Sequence, residues 1–393
     1  MSANKKRVLN QLLIAAGLAV IIMLLLPLNW LDFKRGLNQN QSLRPELTRP
    51  GPTPWPEPLA TPEKVKGIYL TGNTFASASR RDYLIKLVER TELNAVVIDV
   101  KDHRGRLAYD PNSPFLATIP TSSIAMANND YKEILETLQA KNIYTIARIT
   151  NFQDPAAVAS FPELALKNQT GSVWQDFKGM VWLDMTNPAS WQIPIEQAKD
   201  AALIGFDEVQ FDYIRFPTDG NIKQIAYANP PVGKKYHTLA EFYRYLDEQL
   251  ADLPIPLSVD LFGLTYHHRA DSEYDLNIGQ RLIDAALYFD YISPMVYPSH
   301  YPTGYLGFAN PAAHPYEIVN KAMGDGNLIM AQATSSRALS RPWLQDFDLG
   351  ANYDANMVRA QIKAADANNT AGWLIWNASN RYTEDAFLIE TEQ

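Results

Sequence analysis

From Val65 to the carboxyl terminus of this 393-residue chain, strand-like and helix-like patterns alternate until eight strands have been counted, and no other feature narrows the fold as far. Short apolar runs bounded by turn residues predict strands at 67–71, 95–101, 143–149, 207–213, 256–262, 291–297, 328–332 and 372–377. Helical spacing predicts helices at 80–91, 131–141, 191–204, 238–250, 278–287, 316–322 and 354–367. Strands that alternate with helices form a parallel sheet, and eight of them are the count of a (β/α)8 TIM barrel. The alternative is a doubly wound open sheet. That fold would place a glycine-rich phosphate turn after the first strand, where this chain has Gly72-Asn73-Thr74.

The fourth strand carries the clearest pattern. It follows a helix that stops at Gly205, and polar and apolar residues then alternate with period two from Asp207 to Tyr213. Val209, Phe211 and Tyr213 share one face; Glu208, Gln210 and Asp212 share the other. Pro217 cannot continue a central strand. Asp212 and Arg215 therefore stand at or just past the carboxyl end, the edge where parallel α/β folds collect their chemistry. A structural ion pair between these two is the plainer alternative.

Polar residues gather at the same end of seven strands. Asp99, Lys101, Asp102 and His103 follow the second strand, and Arg148 and Asn151 the third. Asp260 closes the fifth. Tyr297, Ser299 and His300 follow the sixth, Gln332 the seventh, and Trp376, Asn377 and Asn380 the eighth. Together they predict a polar cup lined with rings. Glycosidic cleavage requires a proton donor and a second carboxylate that attacks the sugar or activates water. Asp212 and Asp260 lie on neighbouring strands, which run roughly 5 Å apart, so both can flank one bond. Arg148 or Arg215 would keep one of them ionised, while apolar surroundings would keep the other protonated. Asp99 and Asp102 are rival acids. Glu208 lies deeper in its strand and belongs to a core or lower layer.

Composition excludes several other chemistries. With no cysteine, the chain has no disulfide, thiol nucleophile or thiolate metal site. Its formal charge of -8 does not favour a nucleic-acid surface. His267, His268 and His300 form no recognised metal motif, and no GxSxG elbow or dinucleotide fingerprint is present, so neither metal nor cofactor is expected. The 20 tyrosines and 8 tryptophans suit a site that stacks on the C–H faces of sugars, although large cores use them too.

Three basic residues, Lys5-Lys6-Arg7, precede an uncharged apolar run from Leu12 to Leu28, about the length of a short membrane span. Trp30 is placed as an interfacial anchor. Residues 1–35 thus read as an uncleaved signal anchor and transmembrane helix, with a cleaved signal as the second reading. Residues 36–64 include Pro50, Pro52, Pro54, Pro56 and Pro58 and read as a semi-rigid spacer. Residues 65–393 form the barrel, held outside the cytoplasm at the cell envelope, or secreted if the signal is removed.

The segments IDVKDHRG, ARIT, GFDEVQFDYIRFP, VDLFG, ISPMVYPSHY, PWLQDF and GWLIWNASNRY resemble the bacterial family named "putative glycosyl hydrolase domain". The resemblance runs in order from Val65 to the end. It implies an extracytoplasmic TIM barrel that acts on glycans. More distantly, the fourth and fifth strands are similar to those of the α-amylase superfamily, which implies a nucleophile near Asp212 and an acid near Asp260, where that group has glutamate. The fourth strand is also similar to the chitinase DGxDxDxE motif at Asp207 and Asp212. Gln210 replaces its middle aspartate and Ile214 its catalytic glutamate, which argues against a substrate-assisted mechanism.

The expectation is a membrane-tethered glycoside hydrolase acting on an envelope or extracellular polysaccharide. Asp212 serves as nucleophile or base and Asp260 as acid. Asp99, Lys101, Asp102, Arg148, Arg215, Tyr297, His300, Gln332, Trp343, Trp376 and Asn377 surround the substrate; Trp376, Tyr297 and Trp343 supply stacking faces. The alternative is an envelope protein that binds carbohydrate without cutting it, motivated by Ile214. A third reading is a structural envelope protein whose anchor and spacer are the working parts.

Overall fold

The computed structural model describes residues 55–333 and 335–389. Its barrel strands are β1 (Val65–Leu70), β2 (Ala95–Asp99), β3 (Tyr144–Thr150), β4 (Glu208–Asp212), β5 (Leu257–Phe262) and β6 (Tyr291–Met295). They continue with β7, in two pieces (Leu339–Ser340 and Trp343–Gln345), and β8 (Gly372–Trp376). All neighbours pair in parallel, and β1 pairs with both β2 and β8, so the sheet closes on itself. The fold is a (β/α)8 TIM barrel.

Helices α1 (Ala78–Glu89), α2 (Asn128–Ala140), α3 (Gln192–Ile204), α4 (Lys235–Leu250), α5 (Leu282–Ala285), α6 (Pro315–Met330) and α7 (Ala355–Ala367) connect successive strands. Alternate strand residues serve two different cores. Ile68, Leu70, Val96, Ile98, Val209 and Phe211 belong to the apolar layer that includes the buried faces of the helices. Tyr69, Val97, Tyr144, Ile146, Trp343 and Leu374 form a second cluster inside the ring. The period-two pattern of β4 is therefore a division between layers, not between core and water, since all five of its residues are buried.

Local signals explain the approach to β4. Gly205 adopts φ +111°, and its N–H and that of Phe206 close the last turn of α3 on Ala201 and Ala202 carbonyls. At the far end of β4, Tyr213 turns the chain with φ +55°, an uncommon value for a residue with a side chain.

Two expectations are corrected. Residues 328–332, read as the seventh strand, lie at and just past the end of α6, which runs eight residues beyond the expected limit at 322. Ile318, Val319, Ala322, Met323, Gly326 and Ile329 are buried at helical spacing. The true seventh strand is broken at Arg341-Pro342. Its first piece pairs with β6, and its second pairs with both β6 and β8. The helix expected at 278–287 is reduced to the four residues of α5.

Residues 55–64 lie against the amino-terminal end of the barrel. The Leu59 N–H donates to Asp207 Oδ1 at 2.7 Å, and Thr61 Oγ1 lies 3.1 Å from the Tyr144 hydroxyl. The apolar run 12–28 and the spacer up to residue 54 lie outside the described residues. Among the described residues, no helix is long and apolar enough to cross a membrane.

Candidate active site

Inside the ring, β4 contributes one side chain to each of three levels. At the lowest, Glu208 is fully buried and takes both terminal nitrogens of Arg341, the Ser258 hydroxyl at 2.5 Å and the Tyr144 hydroxyl at 3.2 Å. In the middle, Gln210 donates across the barrel to Ser293 Oγ at 3.0 Å. At the top stands Asp212. The lower two levels are polar but cross-linked, which leaves the carboxyl-terminal level as the one with charge in excess.

That upper level is organised around Arg148. Its Nη1 donates to Asp99 Oδ1 at 2.6 Å, its Nη2 donates to Asp212 Oδ2, and its Nε lies 3.6 Å from Asp260 Oδ2. Strand register explains the meeting. Asp99 is the direct neighbour of Arg148, and Asp212 pairs with Thr150, two residues further along β3. Gln210 pairs with Ser258, which brings Asp212 level with Asp260. The guanidinium also lies beside the Tyr69 and Trp376 rings, 5.6 and 5.0 Å from their centroids. Those rings stack on one another at 4.1 Å.

The electrostatics follow from one cation facing three acids in low dielectric. Burial opposes the charge on Arg148, yet the carboxylates of Asp99 and Asp212 outweigh it and raise the guanidinium pKa well above its usual value. Burial, reinforced by the charge of Asp212, drives Asp260 well above the carboxylate range. Burial also raises Asp99, against the pull of Arg148. The second oxygen of Asp99 accepts the Tyr69 hydroxyl. Asp260 Oδ1 accepts the Trp343 indole N–H at 2.8 Å. Asp212 Oδ1 accepts the Tyr213 backbone N–H at 2.5 Å, so the left-handed turn at Tyr213 also aims this carboxylate. The arrangement sets a carboxyl that burial and its neighbour's charge push toward the protonated form, Asp260, beside a second carboxyl bonded to Arg148, Asp212.

Of the expected residues, Asp99, Arg148, Asp212 and Asp260 come together. Trp376 and Tyr297 join them. Burial, then the charges of Asp260 and Asp212, raise the Tyr297 hydroxyl well above its usual pKa, and it makes no hydrogen bond to a described residue. His300 is exposed beside the Tyr297 ring, with Nδ1 3.0 Å from Ser299 Oγ. Arg215 makes no ion pair with Asp212. It lies instead against Trp182, Tyr213 and Phe262.

Four others stand elsewhere, and a fifth, Trp343, is in the site in a different role. Lys101 is buried with Asp154 at 2.6 Å and the Thr150 carbonyl at 2.5 Å. Asp102 folds its own loop by accepting the Arg104 and Arg106 N–H groups. Gln332 is exposed, and its side chain donates to the Leu328 carbonyl at the end of α6. Asn377 ties together Asp346, Ser379 and Arg381 in the loop after β8. Trp343, expected as a stacking face, is 1% exposed and serves Asp260 through its N–H. For Lys101, Asp102 and Asn377 the cause is that a polar residue at a strand end can turn either into the cup or toward the loops beside it; Gln332 is displaced because its segment follows a helix.

Sequence reasoning missed Tyr69, Gln345 and Phe347. Tyr69 had a signal: it alternates with Ile68 and Leu70, the residues of β1 that face the helices. Gln345 Oε1 accepts the Ser299 N–H and hydroxyl and so positions the 298–300 turn. A hollow of about 590 Å³ lies at the opposite end, beside the starts of β5 and β6, where Arg337 pairs with Asp247 and Asp290.

Residues 67–382 match the family described as "Putative glycosyl hydrolase domain". Among solved structures, a hypothetical protein from Ruminiclostridium thermocellum ATCC 27405 is 38% identical over 49% of this chain and 96% of its own, with a TM-score of 0.44. The PgaB (BpsB) glycoside hydrolase domain from Bordetella bronchiseptica is 12% identical over 80% of this chain and 93% of its own, with a TM-score of 0.52. The cycloalternan-degrading enzyme from Trueperella pyogenes is 14% identical over 83% of this chain and 45% of its own, with a TM-score of 0.50. At such identities the last two are likenesses of fold. No curated protein matches the sequence.

Proposed function

The chain belongs to the family described as "Putative glycosyl hydrolase domain", and on that premise we propose that its carboxyl-terminal cup hydrolyses a glycosidic bond in an extracytoplasmic polysaccharide or envelope glycan. The observation that carries this reading is the shared guanidinium of Arg148 among Asp99, Asp212 and Asp260. One cation cannot neutralise three carboxylates, so the level favours a proton on one of them. Asp260 is the acid: its side chain is the most buried of the three, and burial with the neighbouring Asp212 raises its pKa well above the carboxylate range. Asp212, bonded to Arg148, is the nucleophile or the base that activates water.

In this mechanism Asp260 passes its proton to the glycosidic oxygen as the bond to the anomeric carbon breaks. Asp212 meets the positive charge that develops on the sugar. The Trp343 N–H fixes the orientation of Asp260 and leaves Oδ2 for the proton. The Tyr297 hydroxyl and the Trp376 ring offer a hydrogen bond and a stacking face. Residues 1–35 would hold the domain at the outer side of the membrane. That address is tested by fractionation: the full chain is expected in membranes, cut by added protease, and a chain lacking 1–35 is expected to remain soluble inside the cell.

The decisive experiment is a screen of the purified protein on a broad glycan panel. Asp212→Asn is expected to lower kcat/KM by about a thousandfold while thermal stability is retained. Full activity in that variant would remove the assignment. A second reading, carbohydrate binding without turnover, is favoured by the 1% exposure of the Asp260 side chain. Glycan binding with no product, indifferent to Asp260→Asn, would establish it.

A further inference from the structure

Arg215 is a half-buried cation of the rim with no acid bonded to it. Its guanidinium carbon lies 5.0 Å from the Trp182 ring centroid, 5.3 Å from Tyr213 and 5.6 Å from Phe262. Three rings thus pack around the group. Its hydrogen bonding to described residues is a single contact, from Nη1 to the Phe216 carbonyl at 3.3 Å. A guanidinium has five N–H donors. None of the Arg215 nitrogens is a buried atom without a partner, so the remaining donors open toward solvent.

The other withdrawn arginines show how unusual this is. Arg148 and Arg341 are bonded to carboxylates, and so are Arg281, Arg359 and Arg106; Arg81, which donates to the Phe75 carbonyl, is the other partly buried arginine among the described residues with no such partner. Asp212, Asp219 and Asp176 act on Arg215 through space, but none comes within 4.0 Å. Burial lowers the pKa of the group. A partly desolvated cation whose free donors face solvent can exchange that water for an anion, and the rings around it strengthen the pairing.

The site is held in place from below. Gln280 is 2% exposed and clamps two strand exits together. Its Oε1 accepts the Phe262 N–H at 2.9 Å, and its Nε2 donates to the Ile214 carbonyl at 3.1 Å. This one side chain therefore sets Arg215, after β4, beside Phe262, at the end of β5. Phe262 is 38% exposed, the most exposed ring of the three.

We propose that Arg215 and Phe262 form a subsite for a sugar residue bearing an oxyanion, adjacent to the bond that Asp212 attacks. The sugar's C–H face packs on Phe262, and its carboxylate or phosphate meets the fork of Arg215, whose planar geometry suits two parallel hydrogen bonds. The protein's overall charge of -8 offers a polyanion no general attraction, so recognition rests on this local pairing. The inference rests on the glycan-directed reading of the cup, and it names the substrate class: an acidic glycan.

The test measures binding and turnover separately, on the full chain. The probes are matched pairs: polygalacturonate, hyaluronan and alginate with their carboxyl-reduced counterparts, and a glycerol-phosphate-substituted glycan with its dephosphorylated counterpart. At least one acidic member is expected to bind about tenfold or more tightly than its neutral twin, with affinity falling as salt rises. Whether a carboxyl or a phosphate pair shows the preference identifies the anion. Arg215→Ala is expected to collapse that ratio toward one, and Arg215→Lys to retain part of it, because the charge survives but the fork does not. Thermal melting checks that both variants fold. Equal binding within every pair, binding to no acidic probe, or a ratio unchanged in Arg215→Ala overturns the inference. The two readings fail separately. Neutral glycans cut without regard to charge would retain the hydrolase and remove the subsite; Arg215-dependent binding of an acidic glycan without cleavage would retain the subsite and remove the hydrolase.

Discussion

Arg148 sets the charge state of the cup, and the consequence can be followed in stability as well as in activity. Asp260 has a folded-state pKa well above the carboxylate range, because of burial and the neighbouring Asp212 charge. The unfolded chain releases that proton near pH 4. The folded protein holds a proton that the unfolded chain gives up, so the stabilising contribution is complete at low pH and is lost as pH rises toward the folded value. Asp260→Asn keeps an oxygen for the Trp343 N–H and carries no such dependence. Its melting temperature relative to the wild type is therefore expected to climb by several degrees between about pH 4 and pH 8. A constant or falling difference would contradict the assignment. In the active protein, the same substitution is expected to remove the alkaline limb of the kcat/KM profile. At this scale the sequence was informative about chemistry and poor about direction. Asp99, Arg148, Asp212 and Asp260 lie on regular strands, where alternation tells which way a side chain points. Lys101, Asp102 and Asn377 lie past the strand ends, where it does not; Asp102 and Asn377 turned to their own loops, and Lys101 to the exit of β3.

Elements were legible where their periodicity was unbroken. β4 and β8 match their expected positions to within a residue or so, because nothing interrupts their patterns. β7 failed for an identifiable reason. Pro342 has no N–H to give and splits the strand, so a competing apolar run at 328–332 looked more regular than the true strand. Short apolar runs do not by themselves distinguish strand from buried helix. The join between β8 and β1 yields a prediction of its own. Gly372 has φ +99°, and a Cβ there would come within 2.0 Å of the Val65 carbonyl oxygen. Backbone on both sides of the barrel seam would have to move. Gly372→Ala is expected to cost about 3 kcal/mol or more in urea denaturation. Gly205 has φ +111° but open space around the same position. Gly205→Ala is expected to cost only about 1 kcal/mol, the backbone term alone. Equal effects at the two sites would show that the seam is looser than its geometry.

The barrel has two unlike ends, and only one was visible in advance. The acid-lined end follows from where parallel strands finish. The other end is closed by residues 55–64, whose prolines read as a spacer because composition reports stiffness and not what the segment packs against. Here it supplies groups the barrel lacks. Asp207 is 1% exposed, and burial raises its pKa; its Oδ1 accepts the Leu59 N–H, while its Oδ2 takes the N–H and hydroxyl of Thr145. Leu59 packs against the inner cluster, and the Glu57 carbonyl accepts from Gln139 on α2. A chain that starts at residue 65 would lose the Leu59 donor, uncover apolar surface inside the ring and open the buried Glu208–Arg341 level to water. Compared with a chain starting at residue 55, it is expected to be less stable by about 2–4 kcal/mol. Chemical denaturation of the two purified chains measures this directly. Equal stabilities would mean that residues 55–64 rest on the barrel without closing it; the expected loss would make them part of the folded domain, with the spacer beginning upstream of them.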